Sequence, residues 1–241
     1  LGGNGTSIKG PIPPGALPLT TTVAGSEEDL SIEEASKNRA ITLLEDNGWS
    51  VNEETGLWEK KTKEGTDRIS FSLSTSDVPE LKQAATLIRD EWQSIGAEID
   101  LKIFESGDLN QNVIRPRKYD ALFFGEIVGR ELDLFAFWHS SQRNDPGLNI
   151  ALYANITSDA LLEDARVLAD EDERLQKYIA FEEEVASDIP AIFVYAPDFI
   201  YVVPERIDGL RLSSITTPSE RFLNVQDWYF ETDRVWSLFA N

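Results

Sequence analysis

The residues best placed to do chemistry are His139, Ser140 and Ser141, because a histidine beside a serine is the pairing that activates a nucleophile. A serine hydrolase also needs a third group that orients the base, and adjacent residues rarely reach that geometry. The chain contains no G-x-S-x-G motif, the sharp turn that presents the serine of many hydrolases. We therefore expect no catalytic residue here and interpret the segment as a polar helix end or the wall of a cleft.

Metal and cofactor chemistry also lacks support in the sequence. The chain has no cysteine and one histidine, which excludes thiolate sites and multi-histidine metal sites. Neither a Walker loop nor a G-x-G-x-x-G motif is present, so no nucleotide site is expected. The acidic runs 170–173 and 182–184 fall on predicted helices, which is typical of solvated faces. We expect no metal, no cofactor and no enzymatic activity.

Ligand binding fits the segment 126–153 better than catalysis does. The apolar run 119–125 before it predicts a buried central strand, and α/β proteins place ligand crevices at the ends of such strands. The segment mixes aromatic surface with polar groups, the usual lining of a pocket for a small or peptidic ligand. We predict that Trp138→Ala or His139→Ala weakens ligand binding without unfolding the protein. The residues expected to bind the ligand are Glu126, Ile127, Asp133, Trp138, His139, Ser140, Gln142 and Asn149.

Length and charge limit the classes of protein and of binding partner that fit this chain. The 241 residues are 41% hydrophobic, enough for a globular core. Acidic residues outnumber basic ones 43 to 22, and the formal charge of −21 disfavours nucleic acid and anionic membrane surfaces as partners. No apolar run approaches the roughly 18 residues of a membrane span. The chain has neither a visible signal peptide nor a methionine, so we expect a fragment or mature domain whose natural beginning lies upstream.

Hydrophobic periodicity predicts the order β-β-α-β-α-β-α-α-β, an α/β arrangement around a mixed sheet. The first helix is expected to start at a capping box, Ser31 to Glu34, and to end at Gly48. Residues 57–61 and 69–73 are predicted to form a hairpin around a turn at 63–65. A helix over 79–95, a strand over 99–103, two helices within 158–188 and a buried strand at 191–195 follow.

Ordered markers along the chain resemble a known family, the family 5 extracellular solute-binding proteins of ABC importers, which include oligopeptide- and dipeptide-binding proteins. The resemblance covers residues 8 to 236 and corresponds to the C-terminal half of the family. Each marker is weak alone, and their joint order over more than 200 residues is specific. The markers are Gly10-Pro11-Ile12-Pro13, Leu43-Leu44 with Gly48-Trp49, Trp92 with Ile95-Gly96-Ala97, Tyr119-Asp120-Ala121-Leu122 with Gly125, Asp133 with the run 137–142, Gly147-Leu148-Asn149, the run 189–195, Gly209, Arg221-Phe222 and Trp228-Tyr229.

The resemblance implies an α/β lobe of the type II periplasmic-binding-protein fold, with a mixed β-sheet flanked by helices. On this basis residues 1–30 form an extended lead-in and hinge segment, residues 31–200 the second lobe, and residues 201–241 a tail. That tail carries many aromatic residues and would pack on the lobe or return to a first lobe that this chain lacks.

The implied function is capture of a peptide or similar solute outside the cytoplasmic membrane and its delivery to a permease. The implied protein is a periplasmic or extracellular monomer and lipoprotein, anchored through a missing N-terminal segment. Peptide binders of the family pair the peptide's amino group with an aspartate, but the matching position here is Gly129. Glu126, Glu131 or Asp133 could substitute, so peptides, sugars, nickel chelates and opine-like solutes all stay open. The alternative is the ligand-sensing domain of a regulator with the same fold.

Overall fold

The computed structural model describes residues 4–14, 16, 30–211 and 215–230, with side chains of the first helix described from residue 34 onward. The chain divides into two compact units. Unit 1 is formed by residues 1–24, 127–135 and 156–241, and unit 2 by residues 25–126 and 136–155. The predicted lobe over 31–200 thus contributes to both units.

The elements follow the predicted α/β alternation in most of the chain. The strands are β1 (Gly5–Ser7), β2 (Ser50–Val51), β3 (Trp58–Lys61), β4 (Thr66–Arg68), β5 (Ser70–Ser76), β6 (Glu98–Phe104), β7 (Ala121–Leu122), β8 (Tyr195–Pro197), β9 (Ile207–Asp208) and β10 (Tyr229–Phe230). The helices are α1 (Leu30–Asp46), α2 (Pro79–Ser94), α3 (Ser106–Asp108), which continues into a π-helical turn (Leu109–Ile114), α4 (Phe135–Trp138), α5 (Ile156–Val167) and α6 (Glu171–Asp188). Short 3-10 turns occupy Ser140–Gln142, Pro218–Phe222 and Val225–Asp227.

A parallel three-stranded sheet in the order β6-β5-β7 is the centre of unit 2. Helix α2 covers one face and packs Ala85 against a small core made with Leu73, Ala97 and Ile99. The predicted apolar stripe of this helix is confirmed, and Trp92 meets Phe71 edge-on with ring centroids 5.3 Å apart.

One predicted strand pairing and one predicted strand position in unit 2 are wrong. The hairpin closes between β3 and β4 across the predicted turn, where the Thr62 N–H donates to the Gly65 carbonyl. Residues 70–76 instead form β5, the central strand, because this longer segment has parallel partners on both sides. The run 119–125 therefore does not supply the central strand, and only its residues 121–122 pair, at the edge of the sheet.

The helical hairpin of α5 and α6 is the core of unit 1, as the periodicity predicts. Leu162 and Ala165 of α5 and Phe181 and Val185 of α6 are fully buried. Asp170 caps α6 by accepting the Glu173 N–H at 3.0 Å. The capping box predicted for α1 is not seen, because that helix begins at Leu30, before Ser31, and the Ser31 side chain lies outside the described part of the chain.

The run 191–195 is not the buried strand that its apolar composition predicts. Ile192 is 72% exposed and Val194 is 37% exposed. The strand starts only at Tyr195 and pairs antiparallel with β1, so residues 5–7 and 195–197 form a two-stranded ribbon in unit 1. Ile192 and Val194 precede the paired residues 195–197, so the run does not form a strand of the length that its composition predicts.

The described part of the tail is a set of short strands and turns with its own aromatic contacts. Strand β9 pairs with β10, and Phe222 lies between Tyr201 and Trp228, with ring centroids 6.4 Å and 5.8 Å away. The Arg221 guanidinium stands over the Phe222 ring at 4.4 Å. Two aromatic residues that the sequence analysis places in the tail, Trp236 and Phe239, lie outside the described residues.

Candidate functional site

The strand order of unit 2 predicts where a ligand crevice forms. The connection through α2 leads from β5 to β6 on one side, and the next strand, β7, then pairs on the other side of β5. Connections that leave in opposite directions open a crevice at the carboxyl ends of the two strands, here β5 and β7. The residues at these strand ends are Ser76, the last residue of β5, then Asp77 after it, and the run 123–126 after β7.

Asp120 fixes the start of β7 against β5. Its carboxylate accepts hydrogen bonds from the Ser72 N–H at 2.9 Å and from the Ser72 hydroxyl at 2.7 Å. These two bonds hold the pKa of Asp120 below its ordinary value, because they favour the charged form. At the other end of the pairing the Thr75 hydroxyl donates to the Phe123 carbonyl at 2.9 Å. Ser72 and Thr75 of the central strand therefore secure a very short neighbouring strand.

Glu126 stands at the end of this strand connection. The residue as a whole is exposed to solvent, while desolvation by the surrounding protein raises the pKa of its carboxyl to about 7. The exposure refers to the surface of the whole residue, whereas the raised pKa reflects the environment of the carboxyl group alone. Because part of the residue is exposed to solvent, Glu126 is accessible to a ligand.

Asn149 organises the polar-aromatic segment of unit 2. Its side-chain amide donates to the carbonyls of Trp138 at 3.0 Å, His139 at 3.1 Å and Tyr153 at 2.9 Å. Its Oδ1 accepts the Tyr153 N–H at 3.1 Å, and the residue is fully buried. Trp138 is 4% exposed and meets Tyr153 edge-on at 6.3 Å between ring centroids. Both side chains are committed to holding backbone and core together.

His139 caps the short helical turn that follows it. Its Nδ1 accepts the Ser141 N–H at 3.1 Å and lies 2.8 Å from the Ser141 hydroxyl. A backbone N–H only donates, so Nδ1 is the acceptor nitrogen in this geometry. Ser140 and Gln142 are only partly buried, and the Gln142 amide donates to the Ser141 hydroxyl at 3.1 Å. The arrangement positions Ser140 and Gln142 at the surface next to a buried support.

Ile127 and Asp133 lie on a loop, residues 127–135, that belongs to unit 1. Ile127 is 67% exposed, whereas Leu132 and Leu134 are buried and anchor the loop. The Asp133 carboxylate accepts the Phe135 N–H at 3.2 Å and the Arg166 guanidinium at 2.8 Å. Arg166 also stands over the Phe135 ring at 4.2 Å. Asp133 is therefore already paired within its own unit.

Two further polar residues, Asp77 and Arg166, were not among those predicted from the sequence. Asp77 directly follows β5, and the polar run Ser74, Thr75, Ser76 before it is the signal for a strand end facing a crevice. Arg166 pairs with Asp133 across 33 positions, and no local pattern announces that contact.

Other site types find no support in the described ranges. Among residues 4–14, 16, 30–211 and 215–230, no group of three or more metal-ligating side chains converges. No helix in the same ranges has the length and hydropathy to cross a bilayer. A cavity of about 200 Å³ opens beside the end of α6, lined by Lys9, Val185 and Ile189 among others. None of the predicted ligand-binding residues lines it.

Comparison with known proteins finds similarity to binding proteins. The oligopeptide-binding protein AppA of Bacillus subtilis is 26% identical over 198 residues, which are 81% of this chain and 35% of AppA. The solved structure of AppA with a nonapeptide covers 96% of this chain and 44% of that chain, with a TM-score of 0.70 and 23% identity. NikZ from Campylobacter jejuni, in complex with Ni(L-His), covers 93% of this chain and 43% of NikZ, with a TM-score of 0.66 and 20% identity. No protein-family model matches the chain.

The chain spans 35% to 44% of the length of these proteins. The expected fold is confirmed, because the solved neighbours are type II periplasmic binding proteins and the chain has part of their mixed α/β architecture. The resemblance noted from the sequence is confirmed: the relatives and structural neighbours of this chain are oligopeptide- and nickel-binding solute-binding proteins of ABC importers, of family 5, and this chain corresponds to a part of them.

Proposed function

We propose that this chain is part of the substrate-binding component of an ABC importer, which captures a peptide or a similar small solute and delivers it to a permease. The observation that supports it most is the β5–β7 crevice position in a chain that aligns with AppA over 81% of its length. The matched proteins bind oligopeptides or a nickel–histidine complex, and both ligand classes are candidates here.

The proposed site divides between groups that touch the ligand and groups that hold them. Glu126, Ile127, Ser140 and Gln142 are at least partly exposed and are the proposed ligand contacts. Trp138, His139 and Asn149 are buried within unit 2 and are proposed to position Ser140 and Gln142 of the same unit. Asp133 is proposed to act through the loop that it stabilises, because its carboxylate already binds Arg166. Exposed polar and apolar groups on rigid support are what a binding surface requires.

We propose no catalytic role for this chain. The Nδ1 atom of His139 accepts the Ser141 N–H and also lies 2.8 Å from the Ser141 hydroxyl, which is a capping contact within one short turn. The named relatives are binding proteins, which favours transport over the alternative of a regulator's sensing domain.

The tail is proposed to pack against a further lobe of the parent protein. Leu223 and the two residues of β10, Tyr229 and Phe230, are more than half exposed, and exposed apolar side chains of this size are typical of a contact surface. The relatives are more than twice as long as the matched region, which supplies the length for another lobe. Location outside the cytoplasmic membrane, lipid anchoring, a monomeric state and the permease partner belong to the same proposal.

Calorimetric titration of a nonapeptide into the full-length parent and into this chain alone tests the proposal. We expect micromolar or tighter binding by the parent and much weaker binding by the chain, because the chain supplies one wall of the cleft. Micromolar binding by the chain alone would contradict a ligand site shared with another lobe.

A further inference from the structure

One carboxylate joins the loop 127–135 to the C-terminal segment of unit 1. Glu220, on the turn Pro218–Phe222, accepts the Thr216 N–H at 3.0 Å and the Thr216 hydroxyl at 2.7 Å. Its Oε2 also accepts Nη2 of Arg130 at 3.2 Å. The Glu220 side chain is 15% exposed, so these partners surround most of it. A carboxylate held this way is a fixed point for a flexible arginine.

The tip of the loop lies at the protein surface. Gly129 and Arg130 are exposed, and the chain turns there with the Leu132 N–H donating to the Gly129 carbonyl at 3.0 Å. Leu132 adopts a left-handed backbone with φ of 49°, which a leucine rarely takes unless its surroundings hold it. The buried anchors Val128, Leu132 and Leu134 fix the two sides of the loop, and the Arg130 side chain reaches from the tip to Glu220.

The base of the loop has an independent support. Asp133 binds Arg166 of α5 and the Phe135 N–H, so the loop end next to α4 is held without Glu220. Loss of the Arg130–Glu220 contact should therefore free the tip while the base stays in place. The two supports can be separated by experiment because they share no residue.

We propose that Glu220 is a positioning residue for ligand binding: by holding Arg130 it fixes the loop that presents Ile127 to the ligand. The inference rests on the proposed function, since Ile127 is a proposed ligand contact. It makes a residue 90 positions further along the chain part of the binding machinery, without any contact of its own with the ligand. An ordered loop binds more tightly because less conformational entropy is lost on binding.

Hydrogen–deuterium exchange of the 241-residue chain, read by mass spectrometry, tests the positioning step without any ligand. In Glu220→Gln and in Arg130→Met, we expect the amide of Leu132 to exchange roughly two- to fivefold faster than in the wild type. The Phe135 amide, bonded to Asp133, should keep its rate. Glu59→Gln is the matched control, because it removes the ion pair with Arg68 at 2.7 Å in unit 2.

Three further results decide the inference. The double variant Glu220→Gln/Arg130→Met should exchange no faster than either single variant, and Arg130→Lys should restore part of the protection. An unchanged Leu132 rate beside faster exchange at Thr216 would overturn it, since Glu220 would then stabilise only the tail. Additive effects in the double variant would overturn it as well. If Glu220→Gln fails to fold, Arg130→Met decides alone, because Arg130 is half exposed.

The link to binding is measured in the full-length parent with a nonapeptide as probe. Faster dissociation of the peptide from the Arg130→Met parent, by about the factor seen in exchange, is the expected result. An unchanged dissociation rate with a freed loop would overturn the role in binding. A wild-type parent that binds no peptide would count against the proposed function instead, and the exchange data would still decide whether Glu220 holds the loop.

Discussion

Asn149 and Tyr153 exchange two hydrogen bonds in the interior of unit 2: the Asn149 amide donates to the Tyr153 carbonyl, and the Tyr153 N–H donates back to Asn149. The same amide also binds the carbonyls of Trp138 and His139. One buried side chain thereby holds together the segment that carries the proposed ligand contacts Ser140 and Gln142.

Replacing Asn149 should destabilise the whole segment, because several of its hydrogen bonds are lost at once. Asn149→Ala removes four hydrogen bonds from a buried region, and we expect a loss of about 3 kcal/mol in the free energy of unfolding. Urea denaturation followed by tryptophan fluorescence measures it. Asn110→Ala, at an exposed position, is the control and should change stability by less than about 0.5 kcal/mol. Equal effects of the two substitutions would contradict the positioning role.

The prediction that Trp138→Ala weakens binding without unfolding the protein needs correction on structural grounds. Trp138 is buried, and removing its ring leaves a cavity beside Tyr153, so we expect a loss of about 3–5 kcal/mol in the free energy of unfolding. Trp138→Phe, which keeps part of the ring volume, should lose clearly less. Thermal unfolding by circular dichroism distinguishes these cases, and a fully stable Trp138→Ala would show that the residue is not part of the core.

Glu220 predicts a defined pH dependence of stability. The bonds from the Thr216 N–H and hydroxyl, helped by Arg130, lower its pKa from 4.5 to about 2, against a smaller opposing effect of desolvation. A lowered pKa means that the ionised form stabilises the fold above about pH 4.5, and that this contribution is lost as the pH falls toward 2.

The difference in unfolding free energy between wild type and Glu220→Gln should therefore be constant from pH 6 to 8 and shrink below about pH 4.5. Urea titrations of both proteins at matched pH values measure it. Asp208→Asn, on strand β9 of the same tail, is the control for a general loss of charge. A difference that grows on acidification would contradict the assignment of the low pKa to this carboxylate.

The acidic surface predicts stabilisation by salt. The formal charge is −21, and α1 and α6 end in Asp46 and Asp188, at the negative ends of their helix dipoles, with no basic residue in the last turn. Screening of this repulsion should raise the urea midpoint between low salt and 1 M NaCl. A midpoint that stays constant or falls would show that the repulsion is not significant in the folded state.

Reversing the charge at the end of α1 tests whether the destabilising repulsion is concentrated at helix ends. Asp46→Lys should stabilise the protein at low salt by about 0.5 kcal/mol, with a smaller gain in 1 M NaCl, because it removes a repulsive charge and complements the helix dipole. Glu64→Lys makes the same charge change in the turn after β3, away from a helix end, and should give less. Equal gains from the two variants would assign the effect to net charge alone.

Periodicity could predict the helices α2, α5 and α6, because each buries one apolar stripe against a single neighbour. It could not predict the strand pairings, because β7 is held by the Asp120 side chain bonded to Ser72, and such contacts over 48 positions leave no local signal. The apolar run 191–195 was wrongly predicted to be a buried strand, because composition does not show which residues pair or whether other residues cover them.

The sequence could predict the region of the candidate site, but not which of its residues are exposed and which are buried supports. The polar-aromatic composition of 126–153 pointed to a binding surface, but it did not separate buried Trp138 and Asn149 from exposed Ile127. That separation depends on tertiary burial. Likewise the sequence does not reveal that the Asp133 carboxylate is paired, because its partner Arg166 lies on a helix further along the chain.

The most direct test of the central claim is native mass spectrometry of the gently purified full-length parent, before and after incubation with a mixed peptide library. We expect one bound ligand per protein, visible either as a co-purified peptide or solute mass or as selective uptake from the library. A parent that is empty on purification and takes up neither a peptide nor a nickel–histidine complex at micromolar concentration would contradict a substrate-binding role.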